Sequence, residues 1–416
     1  MNSMVNEIPT LTAEETQTLK DMKVVDADTH YTEPHDLWTS MVPASMKDKV
    51  PHVIRKDNGR DVWLVDGEQV LLESAVTACS IMKDGSKFSF WDVSISEGPQ
   101  IEEVSEASWD IKSRVAAMDD MNIWAQIVYP NVVGFGSQRL IHLKDRQLSL
   151  DIASIYNEAM AQKQELSGNR FLPQAVIPFW DLKAAVKEVE KAKNMGLTGI
   201  AVSPQPDHGT DLPDIGHTYW DPLWEVCQDL DMPINFHIGA DPAGMAGRNP
   251  WDDVWGSMDR HRKYVIGCAL LESGQASILA NLVCSDLLDR FPKTKWVNVE
   301  SGIGWIPYIL ERLEYQFYES DPQDPTLVNY DRPSPWELFH RQIYACWWFE
   351  HSSPTRMLDI IGFDNVLFET DFPHPTCLYP SPAERAFKTL EHWGPEARNK
   401  VMSGNAARVY NIPGLV

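Results

Sequence analysis

Val366-Leu367-Phe368-Glu369-Thr370-Asp371-Phe372-Pro373-His374 is an apolar, strand-like run that closes on an aspartate and, three residues later, a histidine. Pro373 ends the strand at once, because it brings no backbone N–H to a ladder. Three other stretches have the same design. Val24-Val25-Asp26-Ala27-Asp28-Thr29-His30 and Pro233-Ile234-Asn235-Phe236-His237 close on metal-binding side chains, and Trp296-Val297-Asn298-Val299-Glu300 closes on a carboxylate. Helix-like segments separate them. A β/α barrel collects the C-terminal ends of its strands at one mouth, which would make these four ends neighbours. A metal-dependent enzyme is the leading reading.

The rest of the chain fits that frame. Strand-like runs recur at Val24–Asp28, Ala125–Tyr129, Leu172–Pro178, Gly199–Val202, Ile234–Ile238, Trp296–Glu300, Gln342–Trp348 and Val366–Asp371. They make the eight that a β/α barrel requires. Helical periodicity is clearest over Leu148–Ser167, Leu182–Met195, Pro222–Leu230, Gly274–Arg290 and Gly304–Glu319. Alternating strand and helix implies parallel strands joined by crossovers. Residues 1–20 read as a polar arm, helical from Thr12, where Thr12-Ala-Glu-Glu has the form of a capping box. Residues 21–416 form the barrel domain. Two regions break its rhythm. About 40–115 is too long for a simple connection, and turn signals at Asn58-Gly59 and Asp66-Gly67 predict a small β-rich lobe inserted after the first strand. Ala240–Gly267 follows the strand of His237 and is expected to cover the catalytic face.

Composition excludes several classes. With 36 Lys plus Arg against 60 Asp plus Glu in 416 residues, the net charge is −24, which repels phosphate backbones and anionic lipid. No nucleic-acid or membrane partner is expected, and no apolar run approaches the ~20 residues that cross a bilayer. The N-terminus lacks an apolar signal region, so a cytoplasmic protein acting on a small molecule is expected. The six cysteines, at 79, 227, 268, 284, 346 and 377, form no C-x-x-C pair and read as reduced, buried thiols.

Each candidate residue also has a plain reading. Asp28 and His30, two apart, share one face of an extended strand, with Asp26 lower on the same face; such a triplet also arises as a capped turn. His237 alone is as easily a hydrogen-bonded core histidine. Asp371 is also placed to cap the following helix, and Glu300, ahead of Ser-Gly-Ile-Gly, to favour a helix N-terminus. Four strand ends together favour the metal site. Sixteen tryptophans, several on expected mouth loops (Trp180, Trp251, Trp255, Trp305, Trp347, Trp348), favour an apolar or aromatic substrate, with core packing as the alternative for each. Arg248, His261 and Arg262 follow His237 and are either substrate-pairing or solvated loop charges.

The sequence resembles the amidohydrolase superfamily, in particular the branch with the metal-dependent decarboxylases of aminocarboxymuconate semialdehyde and hydroxybenzoates. The resemblance spans roughly Val24 to Val409. It rests on Asp-Ala-Asp-Thr-His-Tyr-Thr-Glu-Pro at 26–34, Phe-His-Ile-Gly at 236–239, Glu-Ser-Gly-Ile-Gly-Trp-Ile-Pro at 300–307, Glu-Thr-Asp-Phe-Pro-His-Pro at 369–375 and Ser403-Gly-Asn-Ala-Ala-Arg-Val-Tyr. It implies a distorted (β/α)8 TIM barrel, a metal at the C-terminal strand ends, and a homodimer. Asp28 and His30 match the first-strand ligands, His237 the fifth-strand histidine, and Asp371 the eighth-strand aspartate that also moves protons. Many relatives end the sixth strand in His-Gly-Gly; here that segment carries Glu300.

That departure shapes the expected chemistry. Asp28, His30, His237, Glu300 and Asp371 make a hard, anionic pocket suited to Fe, Mn or Zn. Three carboxylates over-neutralise one dication, so a binuclear site is expected, with one ion as the alternative. Glu33 is either a further ligand or an outer acceptor, Glu369 an orienting partner of Asp371, and His374 a proton donor or a structural histidine. The expected reaction is hydrolysis of an ester, thioester or amide by metal-activated water, with Asp371, Glu300 and His374 as catalytic groups. The alternative is mononuclear, non-oxidative decarboxylation of an aromatic or unsaturated acid. An inactive, metal-free binding protein is the reading from another class.

Overall fold

The computed structural model of the chain describes residues 8–67, 69–74, 76, 79–88, 99–242, 255–320 and 332–415. Its strands are β1 (Val25–His30), β2 (His52–Arg55), β3 (Asp61–Val65), β4 (Gln69–Leu72), β5 (Ala125–Tyr129), β6 (Phe171–Pro173), β7 (Ala175–Val176), β8 (Ile200–Ala201), β9 (Ile234–His237), β10 (Trp296–Val299), β11 (Ile343–Trp347) and β12 (Val366–Phe368). Two parallel sheets, β1-β5-β6 and β7-β8-β9-β10-β11-β12, form the barrel wall. The third of the expected barrel strands is thus split at Gln174. Pro173 cannot donate to a neighbour, Gln174 N bonds back to Val128 O, and Ala175 N turns to Gly199 O. The first strand meets the segment just after the last one through His30 N to Phe372 O (2.8 Å) and Asp371 N to Asp28 O (3.0 Å).

The barrel interior is apolar at its base. Val25, Ala27, Ala125, Ile127, Tyr129, Leu172, Ala201, Val297, Val299, Cys346 and Leu367 pack together there, joined by Ala406, Val409 and Tyr410 of the terminal helix Asn405–Tyr410. A larger apolar layer lies between the strands and the surrounding helices. Helices occupy Arg146–Leu166, Leu182–Asn194, Asp221–Asp229 and Ile306–Glu319, close to expectation. The expected helix at Gly274–Arg290 is broken at Ser285-Asp286 into Gln275–Cys284 and Leu287–Arg290. In the N-terminal arm, Thr12 caps Ala13–Asp21 with the reciprocal Glu15 bonds of a capping box.

The insertion contains a three-stranded antiparallel sheet, β2-β3-β4, with Trp63 set edge-on against both Trp38 and His35 of the β1 loop. One apolar segment exceeds the sequence expectation. The continuous helical run Arg260–Cys284 has 25 residues and a mean hydropathy of 1.3 over its most apolar window, long and apolar enough by composition to cross a bilayer. Its second half buries Ile278, Leu279, Leu282 and Val283, while its first half leaves Val265, Leu270 and Leu271 exposed.

Candidate metal centre

The ligand-type side chains do converge. One ligand atom from each of Asp28, His30, His237 and Glu300 lies within 4.8 Å of the others, and His30, Glu300, Asp371 and His374 form an overlapping group of the same kind. His30 Nε2 is 3.8 Å from Asp28 Oδ1 and 3.5 Å from Asp371 Oδ1. His237 Nε2 is 3.6 Å from Asp28 Oδ2 and 3.2 Å from Glu300 Oε2. The two imidazole Nε2 atoms face each other at 3.2 Å.

Local backbone aims these groups. A bulge between Asp26 and Thr29 shifts the register of β1 against β5. Ala27 therefore packs in the barrel interior and Asp28, the next residue, joins the ligand cluster. Asp26 is not below them, as strict alternation had predicted. It accepts bonds from Gln126 Nε2, Thr370 N and Thr370 Oγ1. Glu300 and Asp371 leave their strands at φ +52° and +59°. That left-handed conformation is disfavoured for residues with a side chain and concentrates at functional sites. His237 Nδ1 donates to Ile238 O at 2.7 Å, which leaves Nε2 as the lone-pair nitrogen facing the cluster.

The electrostatics favour a cation. Asp28, His30 and Asp371 have no solvent exposure, and neither oxygen of Asp28 has a hydrogen-bond partner. An unpaired buried carboxylate is costly unless a metal or counter-charge compensates it. Burial raises the Asp28 carboxyl, the neighbouring His237 opposes that, and the Asp371 charge adds to it. Burial likewise holds Glu300 well above the usual carboxylate range, reinforced by Asp371 and Asp28. Glu369 is raised by burial and then by Asp28, and burial pushes His30 well below the ordinary imidazole value. Asp26 is raised to about 8 by burial, against the bonds from Thr370 and Gln126. The donor set fits a divalent cation.

Other expected residues separate. Glu33 is outside the cluster: its Oε1 accepts from Asn131 N and Val132 N at 2.8 and 3.1 Å. Glu369 Oε2 accepts from Glu300 N at 3.1 Å, so it steadies Glu300 rather than Asp371. His374 does reach the site. Its Nδ1 is 2.5 Å from Asp371 Oδ1, and its ring stacks on His30 at a centroid distance of 3.8 Å. Among the tryptophans, Trp347 is buried in the layer outside the barrel and bonds Glu350 O, while Trp255 is exposed. Trp251 and Arg248 lie outside the described residues. Arg262 is an exposed partner of Asp259. One aromatic residue at the site escaped the sequence reading. Phe135, on the loop after β5, lies 4.3 Å from His237 and 5.1 Å from His30, ring centre to ring centre.

A β/α barrel with clustered carboxylates and imidazoles at its C-terminal mouth defines a metal-centred barrel enzyme. A family model described as amidohydrolase matches residues 25–412, and the chain belongs to that family. It is 25% identical over 286 residues to a γ-resorcylate decarboxylase of Rhizobium radiobacter, covering 65% of this chain and 80% of the relative. Among solved structures, an amidohydrolase from Mycobacterium avium subsp. paratuberculosis K-10 superposes with a TM-score of 0.67 at 18% identity, covering 94% of this chain and 99% of that one. A dihydroxybenzoic acid decarboxylase from Polaromonas sp. JS666, with bound manganese and the inhibitor 2-nitroresorcinol, gives a TM-score of 0.60 at 19% identity, covering 94% and 97%.

These findings overturn the hydrolase expectation. Three curated relatives are γ-resorcylate decarboxylases, which favours the reaction weighed second. Glu300 in place of a histidine does not by itself make the site hydrolytic. Glu300 and His30 belong to both groups of ligand atoms.

Proposed function

We propose that the protein is a metal-dependent, non-oxidative decarboxylase of an aromatic carboxylic acid, working with one divalent ion, manganese. The observation that carries this reading is the buried convergence of Asp28, His30, His237, Glu300 and Asp371, with both Asp28 oxygens lacking a donor. The decarboxylase relatives supply the reaction class, and an oxygen-rich donor set suits a hard dication. Asp28, His30, His237 and Asp371 would hold the ion, with Glu300 beside them. When bound, it supplies a positive centre for the substrate carboxylate and a neighbouring oxygen.

The chain's own residues then manage one proton. As the C–C bond to the carboxylate breaks, its electron pair stays on the ring carbon and CO2 departs. That carbon takes a proton, so the balance is one carboxylate and one proton in, one arene and one CO2 out. His374 holds the proton, on a ring next to Asp371 Oδ1 and partly open to solvent, from which it is replenished. Thr376 Oγ1 donates to Asp371 Oδ2 and fixes the orientation of that carboxylate.

The test is CO2 release from a panel of hydroxybenzoates by manganese-loaded protein, run in D2O. One deuterium per arene at the vacated carbon is expected. His374→Asn should slow turnover on the order of 10²–10⁴-fold, the range for a positioned acid, with manganese content unchanged. No CO2 from any member of the panel by metal-replete protein would remove the reading.

A further inference from the structure

The cluster is deeply buried, and two partly exposed side chains among the described residues stack on it: His374, already assigned to the proton, and Phe135. Phe135 has no role so far. Its ring leans on His237 at 36°, on His30 at 55°, and stands edge-on to His374 at 6.2 Å. Its other neighbour is the β9 exit. A Cβ on Gly239, whose φ is +71°, would lie 3.4 Å from Phe135 Cε2, so the ring already rests on the backbone there.

The loop that carries Phe135 is tied down from several directions. Glu33, from the β1 exit, accepts Asn131 N and Val132 N, and Asn131 Nδ2 donates to Tyr31 O. Gln138 Oε1 accepts Gly136 N while its Nε2 donates to Gly239 O at 3.0 Å. Ser137 Oγ donates to Ile177 O. Gly136 packs so tightly that a Cβ there would stand 2.6 Å from the Ser203 amide nitrogen. Four barrel strand ends thus hold one aromatic residue still, its ring against two candidate ligand histidines, and the residue is only half-buried. An aromatic residue that only sealed the core would be covered as its neighbours are. One fixed in place and half-buried offers a flat apolar face at low entropic cost, and aromatic partners prefer offset stacking on such a face.

We propose that Phe135 is a specificity-determining wall, which stacks on the planar ring of an aromatic acid and sets its orientation at the metal centre. The substrate class rests on the decarboxylase reading; the wall rests on the geometry of Phe135.

The test is calorimetric binding to manganese-loaded protein of two probes. One is 2,6-dihydroxybenzoate; the other is oxalate, which offers carboxylates without a ring. Phe135→Leu keeps bulk but loses the flat face, and should weaken 2,6-dihydroxybenzoate about tenfold. Phe135→Tyr should bind it as the parent does. Bound manganese and oxalate affinity should stay at parent values in both variants. Equal binding of 2,6-dihydroxybenzoate by Phe135→Leu and the parent overturns the wall while leaving the reaction class standing. Parallel loss of oxalate and 2,6-dihydroxybenzoate also overturns it, since the ring would then be packing the ligands. Failure of the parent to bind 2,6-dihydroxybenzoate while it binds oxalate overturns the aromatic-acid reading and, with it, the wall's substrate.

Discussion

Asp28 has two buried oxygens without a donor, and His237 has one ring nitrogen fixed outward by Ile238 O. These are the strongest marks of an ion site, and both lie in residues legible from sequence. Their strand-end positions and spacing were enough to single out Asp28, His30, His237 and Asp371 as side chains that converge. His237→Ala and Asp371→Asn are therefore expected to lower turnover on the order of 10²–10⁴-fold while the far-ultraviolet circular dichroism stays near that of the parent. Elemental analysis of Glu300→Ala should show manganese affinity reduced roughly 10–100-fold, as for groups that support a metal without being its main ligands. Unchanged occupancy would assign Glu300 to shape alone. Glu33 and Phe135 were not legible. A glutamate three residues past a ligand carries no sign that it turns back to backbone amides, and Val-Val-Gly-Phe-Gly has no chemical signature. The only hint was glycine on both sides of an aromatic, which allows close backbone approach.

At the scale of elements, apolar runs bounded by helices located the barrel strands, and their C-terminal limits were the least accurate. Val366–Asp371 was expected to be extended throughout, whereas β12 ends at Phe368 and Asp371 is left-handed. A bulge such as that in β1 is invisible to alternation, which is why Asp26 was placed on the wrong face. The loop after β5 shows how connections position the site. Gly136→Ala would push a methyl into the Val202–Ser203 backbone and should destabilise the fold by about 1–3 kcal/mol, the usual scale for overpacking, read by denaturant melts. The N-terminal helix Ala13–Asp21 is docked by an ion pair between Glu15 and Lys388. The Lys388 partner holds the Glu15 carboxyl down, at about 2 against an ordinary 4.5. A depressed carboxyl stabilises the folded form above its unfolded value, and that contribution disappears as pH falls from about 4.5 toward 2. Amide protection in residues 13–21 should therefore exceed that of Lys388→Ala at pH 6, and the difference should narrow on acidification.

For the whole molecule, the net charge of −24 and the buried carboxylates work in the same direction. Both disfavour the compact state without a cation, and both are relieved by one. Removing divalent ions with a chelator should lower the melting temperature, and manganese should restore it. Ligand linkage puts the effect at about 2.7 kcal/mol when free manganese is a hundredfold above its dissociation constant. A melting temperature indifferent to chelator would count against a resident ion.

The seam where β1 meets β12 has an outcome for how the protein is made. His30 and Asp371 serve both as closing residues of the barrel and as candidate ligands, yet they stand nearly a chain length apart. During synthesis the early half of the nest waits, without its counterpart, until the last strand leaves the ribosome. The full nest is therefore completed only after Asp371 has left the ribosome, and a product that ends before it keeps Asp28, His30, His237 and Glu300 but lacks that carboxylate.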